Sequence, residues 1–335
     1  MRRQCVIGAN VDKEGRLCGD VKVVQPAVFG GSTSATASVS GGAGLAREFS
    51  LRLASPWGSC DSDFEVLRKT QEESACGYAS LCTQALLELG GFHASGCAWR
   101  LYGDWSLRDL DPKGGPTRYP SMQLQSERLR SLKTSVKLRT SWYTPRSQVR
   151  LSAEVAGPPG DVTFVRTEAQ AELSMPLGRI WTLPWQGHAS AACGLLFPAG
   201  RSCPQDRFHL GGASGLAALK GFAEHGAEPR APCARRKDED TAEDAQGGEA
   251  MASLFASASA PCRLLPVDGA RLLCFLGCGV LRSNRAERLR ASAGLGVAIP
   301  LGPGSLELTF AQPLRYSSHD VLQKWQLGLR LQLME

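Results

Sequence analysis

The stretch Lys-Trp-Gln-Leu-Gly-Leu-Arg-Leu-Gln-Leu, residues 324–333, constrains the fold most. Trp325, Leu327, Leu329, Leu331 and Leu333 share one parity, and Lys324, Gln326, Gly328, Arg330 and Gln332 share the other. Period two over ten residues is an amphipathic strand, because successive side chains in a strand point to opposite faces. Leu306, Leu308 and Phe310 alternate with Ser305, Glu307 and Thr309. Leu289, Ala291, Ala293, Leu295, Val297 and Ile299 alternate with Arg290, Ser292, Gly294, Gly296 and Ala298. Leu132, Thr134, Val136 and Leu138 oppose Ser131, Lys133, Ser135, Lys137 and Arg139. Pro300, Gly302, Pro303, Gly304, Pro313 and Ser317-Ser318 supply the turn signals between the C-terminal strands.

The same alternation gives further strands at 19–26, 32–41, 46–55, 61–69, 73–84, 91–107, 118–128, 147–156, 160–174, 180–197, 247–260 and 269–281, sixteen with the four above. Over 72–91 the periodicity also admits a short helix. Most of these runs have the length of a tilted membrane strand. The 37 glycines argue against a helical bundle. Each of the four strands spelled out above has one charge-poor and one polar parity. A membrane barrel and a large soluble β structure both allow this, so pattern alone leaves the two open.

Other classes fall away on spacing. The longest nearly apolar run, Leu272–Leu281, is about half of a membrane helix. The basic N-terminus has only a short apolar patch broken by Gly8 and Asn10, which makes neither a secretory signal nor a transit peptide. The net charge of +6 comes without Arg/Lys runs interleaved with aromatics, so nucleic acid is not an expected partner. Twelve cysteines include no C-x-x-C pair and read as small apolar fillers, with neither disulfide framework nor zinc-ligand spacing. The five histidines, His93, His188, His209, His225 and His319, contain no H-E-x-x-H and read as surface or loop residues. Gly212-Ala213-Ser214-Gly215-Leu216 fails as a nucleophile elbow at its last position, and Lys220-Gly221 reverses the phosphate-loop order. No enzyme, metal or cofactor is expected.

One irregular segment, 199–246, interrupts the strands. It begins with a glycine-rich half, Asp206–Phe222 (DRFHLGGASGLAALKGF). It ends in the charged tract ARRKDEDTAED, which alone reads as a solvated insertion.

Asp206-Arg207-Phe208, Leu210-Gly211-Gly212 and Leu219-Lys220-Gly221-Phe222 match, in order, the loop-six pattern of the outer-membrane-protein assembly superfamily. That family includes the bacterial barrel-assembly protein and the core barrel of the mitochondrial sorting and assembly machinery. Gly247–Ala258, Arg290–Leu314, Gly160–Leu173 and Gly19–Gly42 resemble other strands of the same barrel. The resemblance covers about residues 19–333 and is strongest after 160. It implies an all-β fold: a 16-stranded antiparallel transmembrane β-barrel over 19–335, with loop six folded into the lumen. Residues 1–18 are then a short remnant, too few for a polypeptide-transport-associated domain.

The resemblance also implies a function, insertion of β-barrel precursor proteins into the mitochondrial outer membrane, with lipid and accessory subunits as further partners. A plastid outer-envelope translocon relative and a passive porin are the alternatives. Strand one, about Gly19–Pro26, and strand sixteen, about Leu322–Leu333, would form a lateral gate, with Gly328 letting strand sixteen kink. Gln326, Gly328, Leu331 and Leu333 fit a mitochondrial β-signal. Two positions depart from the family. Lys220 replaces an arginine, and Phe275-Leu276-Gly277-Cys278-Gly279 has Gly277 where an acid or amide is usual. Glu307, on the polar parity of its strand, is the expected substitute partner of Lys220.

Overall fold

The structure is a computed structural model. It describes residues 4–11, 17–26, 33–42, 47–57, 60–73, 76, 78–93, 96–112, 118–121, 124, 130–180, 183–200, 203–213, 218–235, 243–262, 267, 269–283, 286–301 and 304–331. One sheet of sixteen strands forms the wall, in strict sequence order and antiparallel throughout. We number them β1 (Gln4–Val11), β2 (Leu17–Gln25), β3 (Ser34–Gly42), β4 (Arg47–Trp57), β5 (Cys60–Glu73), β6 (Tyr78–His93), β7 (Cys97–Pro112) and β8 (Arg130–Tyr143). The second half comprises β9 (Ser147–Ala156), β10 (Phe164–Ile180), β11 (Leu183–Pro198), β12 (Ala250–Pro261), β13 (Arg271–Ser283), β14 (Ala286–Leu301), β15 (Gly304–Arg315) and β16 (Trp325–Leu331).

The expected number of strands agrees with the wall, but two assignments change. The wall begins earlier than Gly19: Gln4–Val11 pairs in register with Leu17–Val24, so residues read as a remnant form its first strand. Residues 118–128 supply no wall strand. Arg118–Ser121 instead joins a small sheet with Arg230–Arg235 and Glu243–Ala245. Its partner is Arg230–Arg235, with Cys233 opposite Ser121 and Arg235 opposite Arg118. The stretch that also admitted a helix is β6, sixteen residues long.

The wall is inside out compared with a water-soluble sheet. Along β8, Leu132, Val136, Leu138 and Trp142 are exposed, while Ser131, Lys133, Ser135 and Ser141 are buried. Val136 is 55% exposed and its neighbour Ser135 only 3%. On β7, Trp105 and Leu107 face out while Ser106 and Arg108 are buried. Buried charge beneath exposed apolar side chains is costly in water, where large apolar groups go inside. It is the polarity of a wall whose outer face meets lipid.

The sheet also curls. Flat, β6 and β16 would lie about 48 Å apart at the usual strand spacing of about 4.8 Å. Yet polar side-chain atoms of His225 and Cys76, the latter just ahead of β6, lie within 4.8 Å of each other. Gly226, the next residue, accepts a bond from the amide of Val321, just ahead of β16, at 2.9 Å. The wall therefore wraps around the segment between β11 and β12.

Candidate functional site

That segment, loop six, packs on the inner face of the wall at two anchors. The first is Asp206, whose side chain is buried. Arg108 of β7 donates from Nη1 to Asp206 Oδ1 at 2.9 Å, and Lys133 Nζ of β8 lies 3.9 Å from the same oxygen. Lys133 also pairs with Glu154 of β9 and sits 3.5 Å from Asp104. Arg166 of β10 donates to the Asp206 backbone carbonyl at 3.1 Å and lays its guanidinium over the Phe208 ring, 4.4 Å from the centroid. Three carboxylates, Asp104, Glu154 and Asp206, thus share one lysine, and Asp206 and Glu154 each have a further donor, Arg108 and Ser135. Burial together with the nearby Asp206 carboxylate pushes the Cys203 thiol up, which makes it a packing group rather than a nucleophile.

Phe208 is fixed from both sides. Its backbone exchanges two bonds with Gly248, at 2.9 and 2.8 Å, and its ring lies against Gly194 of β11. A Cβ on Gly194 would stand 2.5 Å from the ring, so the close approach requires glycine. Arg207 points the other way and donates to the Gln246 carbonyl. Leu210, Leu219 and Phe222 are buried with Met251, Phe164 and Leu281 in one apolar cluster. Gly211 turns the chain at φ 132°; a Cβ there would strike the Ala223 carbonyl at 2.4 Å. Gly212 donates to the Phe222 carbonyl at 3.1 Å, which folds the two halves of the motif together.

The second anchor is Lys220-Gly221-Phe222. Lys220 is buried and donates to Glu307 Oε2 of β15 at 2.6 Å. Its ammonium also lies over two stacked rings, Phe275 of β13 at 5.4 Å and Phe255 of β12 at 5.9 Å. Gln326 of β16 clamps the next two residues. Its Oε1 accepts from the Gly221 amide at 3.0 Å, and its Nε2 donates to the Phe222 carbonyl at 2.6 Å. Gly221 and Phe222 pair with Gln323 and Leu322, and the Ala223 amide donates to Val321.

The two departures from the family pattern find a physical setting here. Gly277 faces a mainly apolar neighbourhood: a Cβ there would lie 3.4 Å from Leu219 Cδ1 and 3.6 Å from Phe255 Cδ2, with Ser292 Oγ at 3.8 Å. Gly279 faces Leu210 in the same way, with its Cβ position 3.0 Å from Leu210 Cδ1. A lysine at 220 reaches one carboxylate oxygen as a point charge, and Glu307 supplies it. Gly328 lies directly opposite Glu307 in an unbroken register and faces Ala213 of the loop. Leu331 ends β16 opposite Gly304, and Leu333 lies outside the described residues.

Sequence reasoning missed Arg108, Lys133, Glu154 and Arg166 as partners of the loop. Their only signal is membership of the inward parity. The charged tract is not wholly a free insertion. Its ends form the small sheet with Arg118–Ser121, where Asp244 is buried and accepts from the Ser121 amide at 2.7 Å. Residues 236–242 of the tract lie outside the described residues.

A wall of this polarity, with a long loop bonded along its inner face, is the architecture of an outer-membrane β-barrel. The chain belongs to the Omp85 superfamily: the Omp85 superfamily domain matches residues 132–330. Its fold is similar to that of BamA from Haemophilus ducreyi lacking POTRA domains 1–3, at 15% identity and a TM-score of 0.75, over 98% of this chain and 69% of that one. CdiB from Acinetobacter baumannii (14% identity, TM-score 0.57) and CdiB from Escherichia coli (15%, 0.59) are similar over 98% of this chain. This chain spans 58% and 62% of their lengths. No curated protein matches it by sequence.

Proposed function

We propose that the chain inserts and assembles β-barrel precursor proteins in the mitochondrial outer membrane, through a gate between β1 and β16. The observation that carries this reading is the grip of loop six on an edge strand of the wall. Gln326 and the 321–323 segment hold the Lys220-Gly221-Phe222 tip, so the loop braces the strand that would have to move. A passive pore has no need of such a brace at its seam.

The seam strands are β1 and β16, of which Gln4–Val11 and Trp325–Leu331 are described. Among the described residues β1 pairs with β2 and β16 with β15. A strand entering lipid must have its backbone groups paired. The open edge of β1 offers that pairing to the last strand of a client, by strand addition. Strand hydrogen bonds and burial of the client's apolar face in lipid supply the driving force, and no nucleotide is consumed. Clients, accessory subunits and lipid are the partners of this mechanism.

The test is a covalent lock. Cys5 lies on β1, and single cysteines placed along β16 from Trp325 to Leu331 scan for the position that crosslinks to it. In cells depleted of the native protein, the oxidised lock should stop accumulation of other outer-membrane barrels, and reduction should restore it. Normal accumulation with the seam locked overturns the gate. Normal accumulation on depletion alone, with loss of small-solute conductance, would make the chain a porin.

A further inference from the structure

Away from the two anchors, the fold gathers a second set of reactive side chains. Cys76 lies between β5 and β6, His209 within the loop-six motif, and His225 beyond its tip. One ligand atom from each lies within 4.8 Å of the others. Cys76 is buried and the histidines are half-buried, with their rings edge to face at 4.3 Å between centroids. Against both stands Glu228, whose side chain is fully buried. Its carboxylate oxygens lie 3.2 and 2.9 Å from His209 Nδ1, and Oε1 lies 3.6 Å from His225 Nδ1.

We propose that Cys76, His209 and His225 form a binding site for a divalent transition metal of zinc's chemistry, with Glu228 as its supporting carboxylate. One thiolate and two imidazoles are a borderline-soft set that suits Zn²⁺, and three protein ligands leave the fourth position for water or a Glu228 oxygen. A tetrahedral zinc site separates its ligand atoms by about 3.5 Å, so side-chain movements of about 1 Å close the set. The contact from His209 Nδ1 to a carboxylate is the arrangement that fixes an imidazole for metal binding through its other nitrogen. Charge favours the same reading: a thiolate and a carboxylate together cancel a dication, so the buried site is neutral overall.

A metal here would staple loop six to the β5–β6 connection. The site does not depend on the assembly function. Its test reads the metal directly: the full chain, folded in detergent and stripped by chelator, is titrated with Co²⁺ and then Zn²⁺. The expected result is one Co²⁺ per chain, with a thiolate-to-cobalt charge-transfer band and tetrahedral visible bands that Zn²⁺ abolishes. Cys76→Ser should lose the charge-transfer band, and His225→Asn should weaken binding by at least about 100-fold. Glu228→Gln should keep the band and weaken binding by about 10–100-fold. Heat-modifiable migration on a gel reports folding of each variant. The proposal is overturned by a folded wild-type chain without the band. It is equally overturned by a band that survives Cys76→Ser, or by wild-type affinity in folded His225→Asn.

Discussion

At Asp206 loop six meets β7 to β10 through a buried carboxylate with two cations near it and a third on its backbone. At Lys220 it meets β12 to β16 through one ion pair, two aromatic faces and a glutamine. The first anchor is shared, since Asp206 and Lys133 each have more than one charged partner. The second has a single carboxylate for its lysine, and part of its grip is on the edge strand of the wall. A loop fixed at one end and singly held at the other can let go of the seam without leaving the interior. The comparison therefore divides the loop into a root, near Asp206, and a latch, near Lys220.

Removing the root should have the largest effect. Asp206→Ala leaves Arg108 and Lys133 buried with fewer counter-charges, and breaking a buried pair from one side typically costs about 3–5 kcal/mol. We expect the midpoint of heat-modifiable gel migration to fall steeply, and loop six to become open to protease along its whole length. A fall no greater than that of the latch variants below would erase the distinction between root and latch.

The latch should respond less, and reversibly. Lys220→Glu or Glu307→Lys places like charges together and loses a hydrogen bond to a charged group, worth about 1.5–3 kcal/mol. The double exchange should recover most of the loss, both in the gel midpoint and in assembly of client barrels. Arginine at 220 should support the wild-type level, because one carboxylate oxygen already suffices for the pair. If the exchange rescues the midpoint but not assembly, the Lys220–Glu307 pair is structural and the latch acts through other contacts.

How far these features were legible differs from one to the next, for physical reasons. The Lys220–Glu307 pair was readable because parity placed Glu307 on the inward face, close in sequence to the strands that resemble the family. The root was not, because Asp206 meets Arg108 across 98 residues and nothing in period two fixes which inward residues meet. β1 carries its own alternation, Cys5, Ile7, Ala9 and Val11 against Gln4, Val6, Gly8 and Asn10, but Gly8 and Asn10 read as an end. In 118–128 the opposite error arose: alternation suggested a wall strand, but Arg118–Ser121 pairs with a segment of loop six more than a hundred residues away, which no local pattern announces. The cluster of Cys76, His209 and His225 joins a wall connection to both sides of a loop, so no local spacing announces it.

Gln326 is where latch and seam meet, and its removal should give the smallest and most local change. Gln326→Leu keeps the bulk of the side chain but strips the partners from the Gly221 amide and the Phe222 carbonyl. Both lie in buried surroundings, and each loss costs about 1 kcal/mol or somewhat more. Gly221 and Phe222 retain their pairing with Gln323 and Leu322, so the loop tip should stay in place. Hydrogen exchange should therefore quicken at Gly221 and in β16, with little change near Asp206 and little shift in the gel midpoint. Equal quickening at both anchors would mean that the loop moves as one rigid piece and that the seam has no separate latch. Exchange confined to β16 and the loop tip, together with altered client assembly, would tie the latch to the moving strand.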